Sequence, residues 1–200
     1  MKPWVTLARD GALVLQERDG EYVIRSGGHE LMSSRRHQSE VAMAKHAVGS
    51  RRVLIGGLGL GYTLRAVLDG VPEANVLVAE LSKAVIAWNK GPLAHLHGDA
   101  LRDKRVNIHP GDVATADGRF DSVLLDVDNG PSALSDATNS KLYGPAGLTR
   151  LAQMLKARGT LVVWSASVDP SFIKRMGRAG FDVEVEPVDR FVLFVGKKRR

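Results

Sequence analysis

Residues Val53 to Leu68 read VLIGGLGLGYTLRAVL: an apolar strand, a loop with glycine at 56, 57, 59 and 61, and the start of a helix. Glycine lets a ligand approach the backbone, and a helix N-terminus attracts oxygen-rich ligands. A nucleoside triphosphate loop with this spacing needs lysine where Tyr62 stands, so that reading fails. A dinucleotide loop needs G-x-G-x-x-G. Its sixth position is Tyr62 when counted from Gly57, and its third is Leu58 when counted from Gly56, so no register fits. The spacing that does fit is G-x-G-x-G, at Gly57, Gly59 and Gly61.

Outward from this loop, the pattern before it is β and the pattern after it alternates. TLARDGALVL, LQERDGEYVI and YVIRSGGHEL place Asp10-Gly11, Asp19-Gly20 and Gly27-Gly28 between alternating runs, which predicts a four-stranded meander from Val5 to Met32. SEVAMAKHAVG reads as a helix capped by Ser39 and closed by Gly49. Strands follow at Val53–Ile55, Val76–Ala79, Val106–His109, Ser122–Leu125 and Leu161–Trp164. Helices fall at Thr63–Asp69, Ser82–Lys90, Pro145–Ala157 and from Pro170 to Arg178. FDVEVEPVDRFVLFVG closes the pattern as an antiparallel pair. Strands alternating with helices imply a mostly parallel sheet covered on both faces. With a C-terminal antiparallel hairpin, this is the α/β Rossmann-like arrangement of the class I methyltransferase fold. The expected division is a β-meander over 1–34 and a nucleoside-binding domain over 35–200.

The chain has 200 residues, 44% of them hydrophobic, which suits a globular fold with a buried core. No apolar run reaches the length of a membrane span, and Met1-Lys2-Pro3-Trp4 lacks a signal-peptide core. There is no cysteine, which excludes disulfides and thiolate metal sites and favours the cytoplasm. The net charge of +6 draws on the terminal run Lys197-Lys198-Arg199-Arg200, read as a solvated end. Stacking and groove motifs are missing, so nucleic acid is not an expected partner. His95, His97 and Asp99 lack a companion motif, and no metal is expected.

The G-x-G-x-G spacing resembles the nucleoside loop of S-adenosylmethionine enzymes. A ribose then needs an acid at the end of the second strand, and Glu80 is there. Asp112, after the third strand, suits the adenine amino group. After the fourth strand come Asp126, Asp128 and Asn129, at the crevice where strand order reverses. A sulfonium donor is attacked in line by a nucleophile. A carboxylate at that crevice can hold an amine, take its proton and orient its lone pair. Asp126 or Asp128 capping the Asn129-Gly130-Pro131 turn is the alternative. Trp164 and Tyr143 are candidate pocket walls.

Several stretches together resemble the spermidine synthases, or polyamine aminopropyltransferases. Gly57-Leu58-Gly59-Leu60-Gly61-Tyr62-Thr63-Leu64-Arg65 is similar to their Gly-Gly-Gly-Asp-Gly-Gly-Thr-Leu-Arg loop. Val78-Ala79-Glu80-Leu81, RVNIHPGDVA and FDSVLLDVDNGPSAL resemble their second, third and fourth strand ends, and a small β domain precedes their catalytic fold. The resemblance implies an aminopropyltransferase that binds S-adenosylmethionine or its decarboxylated form. It makes Glu80 the ribose ligand and Asp126 the proton acceptor. It implies a small-molecule amine acceptor and leaves a homodimer open. The chain departs from the pattern in three places. Leu60 replaces the loop aspartate, Asn129 stands where a second aspartate is expected unless Asp128 substitutes, and HELMSSRRHQSE is a shortened connection. Leu60 removes a charge that would repel a donor carboxylate, so intact S-adenosylmethionine is expected to bind at least as well as the decarboxylated form. Methyl transfer to a small molecule or RNA, and a non-catalytic nucleoside-binding module, are the alternatives.

Overall fold

Glycine-bearing turns and period-two patterning shape the N-terminal sheet of the computed structural model, which describes residues 2–127 and 141–200. Strands β1 (Val5–Asp10), β2 (Leu13–Arg18), β3 (Glu21–Ser26) and β4 (His29–Ser33) pair antiparallel in chain order. Asp19-Gly20 and Gly27-Gly28 all take positive φ, the paired left-handed geometry of tight hairpin turns. The first turn lies one residue later than expected. Asp10 pairs with Leu13, so Gly11 and Ala12 form the bend. Leu15 and Ile24 are directly opposed and buried, and they join this sheet to the main core.

Helix α1 (Gln38–Lys45) follows, but Ser39 does not cap it. The N-cap is His37, with no side-chain bond, and Ser39 is buried with its hydroxyl donated to Glu40 at 2.6 Å. The remaining strands are β5 (Arg52–Gly56), β6 (Asn75–Ala79), β7 (Val106–His109), β8 (Phe120–Leu125), β9 (Leu155–Ser165), β10 (Phe181–Val188) and β11 (Phe191–Lys198). They form one sheet in the order β10-β11-β9-β8-β5-β6-β7. β5 to β9 are parallel, and β11 runs antiparallel between β9 and β10. Helices α2 (Tyr62–Gly70), α3 (Lys83–Lys90), α4 (Pro145–Met154) and α5 (Pro170–Arg178) complete the layers.

Both sheet faces are buried, and alternate residues go to opposite cores. Val53, Ile55, Leu124 and Val162 pack with α1, α2 and α3. Leu54, Val123, Leu125, Leu161 and Val163 pack with α4 and α5. That is why these strands read as continuous apolar runs. Because β5 and β8 are adjacent and the order reverses between them, their carboxyl ends flank a crevice.

Two expectations are corrected at the other end of the sheet. The helix from Pro145 stops at Met154, not Ala157, because Leu155 pairs with Phe120 and starts β9. The register then jumps to Ser122 opposite Thr160, across a bulge with Arg158 at φ +60°. The basic tail is exposed at Lys197, Arg199 and Arg200, as expected of a solvated end, but Lys198 is half-buried and several of the tail's side chains are engaged. Lys198 Nζ donates to the carbonyls of Ala152 and Leu155 at 2.7 and 2.9 Å, and Lys197 Nζ to Thr160 Oγ1 at 2.6 Å. Arg199 reaches Asp182 and the Phe181 carbonyl. Among the described residues no helix is long and apolar enough to cross a membrane.

Candidate active site

The glycine loop is locked into the sheet at both ends. Gly57 N donates to Ala79 O at 2.8 Å, and Asp126 N donates to Gly56 O at 2.8 Å. Gly57 has φ +91°, and a β-carbon there would fall 2.3 Å from the Asp126 carbonyl oxygen. Gly61 caps α2 at φ +83°, where a β-carbon would fall 2.5 Å from the His97 ring. Neither position accepts a side chain.

Two buried polar residues carry the underside of this loop. Asn89 donates to Gly59 O and to Val85 O, both at 2.9 Å. His97 packs beneath Gly61 and accepts the Ala100 N–H on Nδ1 at 3.1 Å, which puts its proton on Nε2. Burial pushes its pKa below the ordinary histidine value. Considered from sequence only as a metal candidate, His97 is a packing residue. Asn89 was missed, although it was legible as the one polar residue on the apolar face shared with Val85 and Ile86.

Glu80 sits at the end of β6, and both of its oxygens accept backbone N–H groups. Oε2 takes Leu58 N at 2.8 Å, and Oε1 takes Ser82 N at 2.7 Å. The carboxylate is therefore a staple between the loop and the start of α3. It also lines a cavity of about 430 Å³ with Gly57, Gly59, Asp112 and Asp126. Asp112 is exposed on that rim and accepts Ala114 N at 2.8 Å, capping a short 3-10 turn.

Asp126 follows β8, directly across from Gly57. Its Oδ2 accepts the Thr63 hydroxyl at 2.7 Å. It lines the Glu80-side cavity and also a second cavity of about 410 Å³ walled by Tyr62, Trp164 and Phe191. Met32 of β4 bridges the two, because its sulfur lies 3.1 Å from where a β-carbon on Gly59 would be. The N-terminal sheet thus contributes a wall to the cleft. Asp126, Val127, Gly59, Leu31 and Met32 are common to both cavities.

In the second cavity the Trp164 ring tilts against Phe191, with centroids 4.9 Å apart. Tyr62 stacks on His37 at 4.3 Å. Burial, then the Glu40 carboxylate, push the Tyr62 phenol above its ordinary pKa, so it stays protonated. Tyr143, expected as a pocket wall, is fully buried and packs edge-on against Phe172 at 5.6 Å. It lines neither cavity. Asp128 and Asn129 lie outside the described residues. Among the described residues no three His, Asp or Glu side chains gather as a metal site.

This cleft, at the reversal of strand order, has the layout of the class I S-adenosylmethionine-dependent methyltransferase fold. The chain is similar in sequence to a polyamine aminopropyltransferase and in fold to a spermidine synthase. No family model matches it. It is 29% identical over 126 residues to a polyamine aminopropyltransferase of Saccharolobus solfataricus, a match that spans 61% of this chain and 40% of that protein. A spermidine synthase solved with the transition-state analogue AdoDATO superimposes with a TM-score of 0.72 at 17% identity, over 94% of this chain and 70% of the other. An O-methyltransferase family protein from Burkholderia thailandensis superimposes at 0.64 and 18% identity, over 83% and 57%.

Proposed function

We propose that the chain is a transferase that alkylates a small amine from a sulfonium nucleoside, S-adenosylmethionine or its decarboxylated form. The single observation behind this is that Asp126 lines both cavities. A group held on the Glu80 side and a group held on the Trp164 side meet at one carboxylate.

Glu80 has acceptor capacity beyond its two backbone partners, so it can staple the loop and take ribose hydroxyls together. Asp112 stands where an adenine amino group can donate. The bound donor supplies an electrophilic carbon beside a positively charged sulfur. Asp126 holds the incoming ammonium, takes its proton and leaves a neutral lone pair aimed at that carbon. The C–N bond forms as the C–S bond breaks, the electron pair returns to sulfur, and the proton leaves from Asp126 to solvent. Likeness to the aminopropyltransferases favours aminopropyl transfer. Leu60 is buried at 4% exposure where those enzymes carry an acid, and this favours methyl transfer as the second reading.

Mass spectrometry of products from a pool of amines and polyamines, incubated with each donor, tests the proposal. A new alkylated amine is expected, with its formation cut by about a hundredfold or more in Asp126→Asn. Bound nucleoside with no product from any amine would leave a non-catalytic module and overturn the enzyme reading.

A further inference from the structure

The cavity walled by Trp164 and Phe191 has charge of both signs. Its acids include Asp126 and Glu40, the latter close enough to Tyr62 to push up its phenol. It also holds two arginines. Arg36 is engaged by Glu30 at 3.0 Å. Arg190 lies over the Phe191 ring, 4.8 Å from its centroid, and among the described residues no carboxylate pairs with it. Arg190, Phe191 and Trp164 touch in series, since Phe191 in turn tilts by 50° against Trp164 with centroids 4.9 Å apart. A guanidinium laid on a ring keeps its N–H edge turned outward, and that planar fork matches a carboxylate. The same charge repels the second ammonium of a linear diamine.

We propose that Arg190 makes this cavity a carboxylate subsite. With Asp126 and Glu40 it suits a ligand part that carries an ammonium and a carboxylate together, an amino-acid-like zwitterion in place of a diamine. The inference rests on the nucleoside reading above. Two sources provide this chemistry: the amino-acid tail of intact S-adenosylmethionine, and an acceptor that is itself an amino acid.

Calorimetric titration with S-adenosylmethionine, decarboxylated S-adenosylmethionine and methylthioadenosine distinguishes the outcomes. If the donor tail is the source, Arg190→Glu lowers the preference for the carboxylate-bearing donor by about tenfold or more, and Arg190→Lys keeps most of it. If the acceptor is the source, the donor ratio stays put. The kcat/KM ratio of amino acid to diamine acceptors then falls by about tenfold or more in Arg190→Glu. Either result supports the subsite. If both ratios stay within about twofold of wild type, the subsite is overturned. Methylthioadenosine has no amino-acid tail. If it binds wild type and variant alike, the nucleoside pocket is intact in both; if it binds neither, the nucleoside reading falls and this inference falls with it.

Discussion

The Thr63 hydroxyl donates to Asp126 Oδ2 at 2.7 Å and so ties the first turn of α2 to the end of β8. Thr63 is 2% exposed, so the donor is held from the buried side and orients the carboxylate at the junction of the two cavities. Thr63→Val keeps the shape and removes the donor. We expect kcat to fall by about tenfold while KM for the amine changes little, because orientation is lost rather than binding. Thr63→Ser restores most of kcat. Steady-state kinetics on the amine found active checks the pair. A drop confined to KM would show that Thr63 acts only through substrate affinity.

Glu80 works as a staple, so its loss harms both stability and binding. Glu80→Ala strands the Leu58 and Ser82 N–H groups, at a cost of about 1–3 kcal/mol. In a domain of this size that is a fall in Tm of about 2–4 °C per kcal/mol. Nucleoside affinity is expected to drop by about tenfold or more. Thermal melts and titration of the same preparation check both, and a variant that melts normally while still binding would remove Glu80 from the site.

His97 predicts an acid-sensitive loop. Burial holds its folded pKa below the unfolded value, so the unfolded chain binds the proton more readily. The stability linked to neutral His97 is complete above about pH 6.5 and is lost as pH falls towards the folded pKa. Denaturation across pH 8 to 4.5, for wild type and His97→Asn, isolates this contribution, since the other histidines are common to both. The variant starts lower, because the ring under Gly61 is gone, but loses less stability on acidification. Parallel curves would refute the assignment.

Lys198 is expected to contribute to the fold. Its ammonium donates to the Ala152 carbonyl in the last turn of α4 at 2.7 Å and to the Leu155 carbonyl at the start of β9 at 2.9 Å. Lys198→Met keeps the stem and removes the donor, at an expected cost of about 1–2 kcal/mol. Urea denaturation at low and high salt checks it. The loss should persist at high salt, unlike that of a solvated surface charge.

The parallel sheet was legible because its signals are local. Apolar runs, glycines at helix ends and the closing antiparallel pair each sit within a few residues, although the turn expected at Pro187 falls at Asp189-Arg190, and Pro187 pairs with Val192 inside β10. The glycine loop was legible for the same reason, and Glu80, Asp112 and Trp164, singled out by their places near strand ends, line the two cavities. What escaped depends on distant partners. Leu155 continues the apolar face of α4, yet Phe120 draws it into a strand. Tyr143 looks amphipathic in sequence, and only its contact with Phe172 shows that it belongs to the core. Lys198 read as solvated because the carbonyls that it meets, at Ala152 and Leu155, lie more than 40 residues away along the chain. Glu80 was read as a ligand for sugar; its bond to Ser82 is local, but the one to Leu58, 22 residues earlier, had no trace in the local pattern.

β11 lies inside the sheet, and β10 has no other neighbour. Order along the chain and order across the sheet are therefore opposed at this edge. β10 comes first in the chain, yet it reaches the sheet only through its pairing with Phe191–Lys198. β11 is therefore the link that holds β10 to the sheet, and it carries Phe191, half of the aromatic wall. Losing the start of β11, at Phe191 and Val192, would detach β10 and the Arg190–Phe191 contact together.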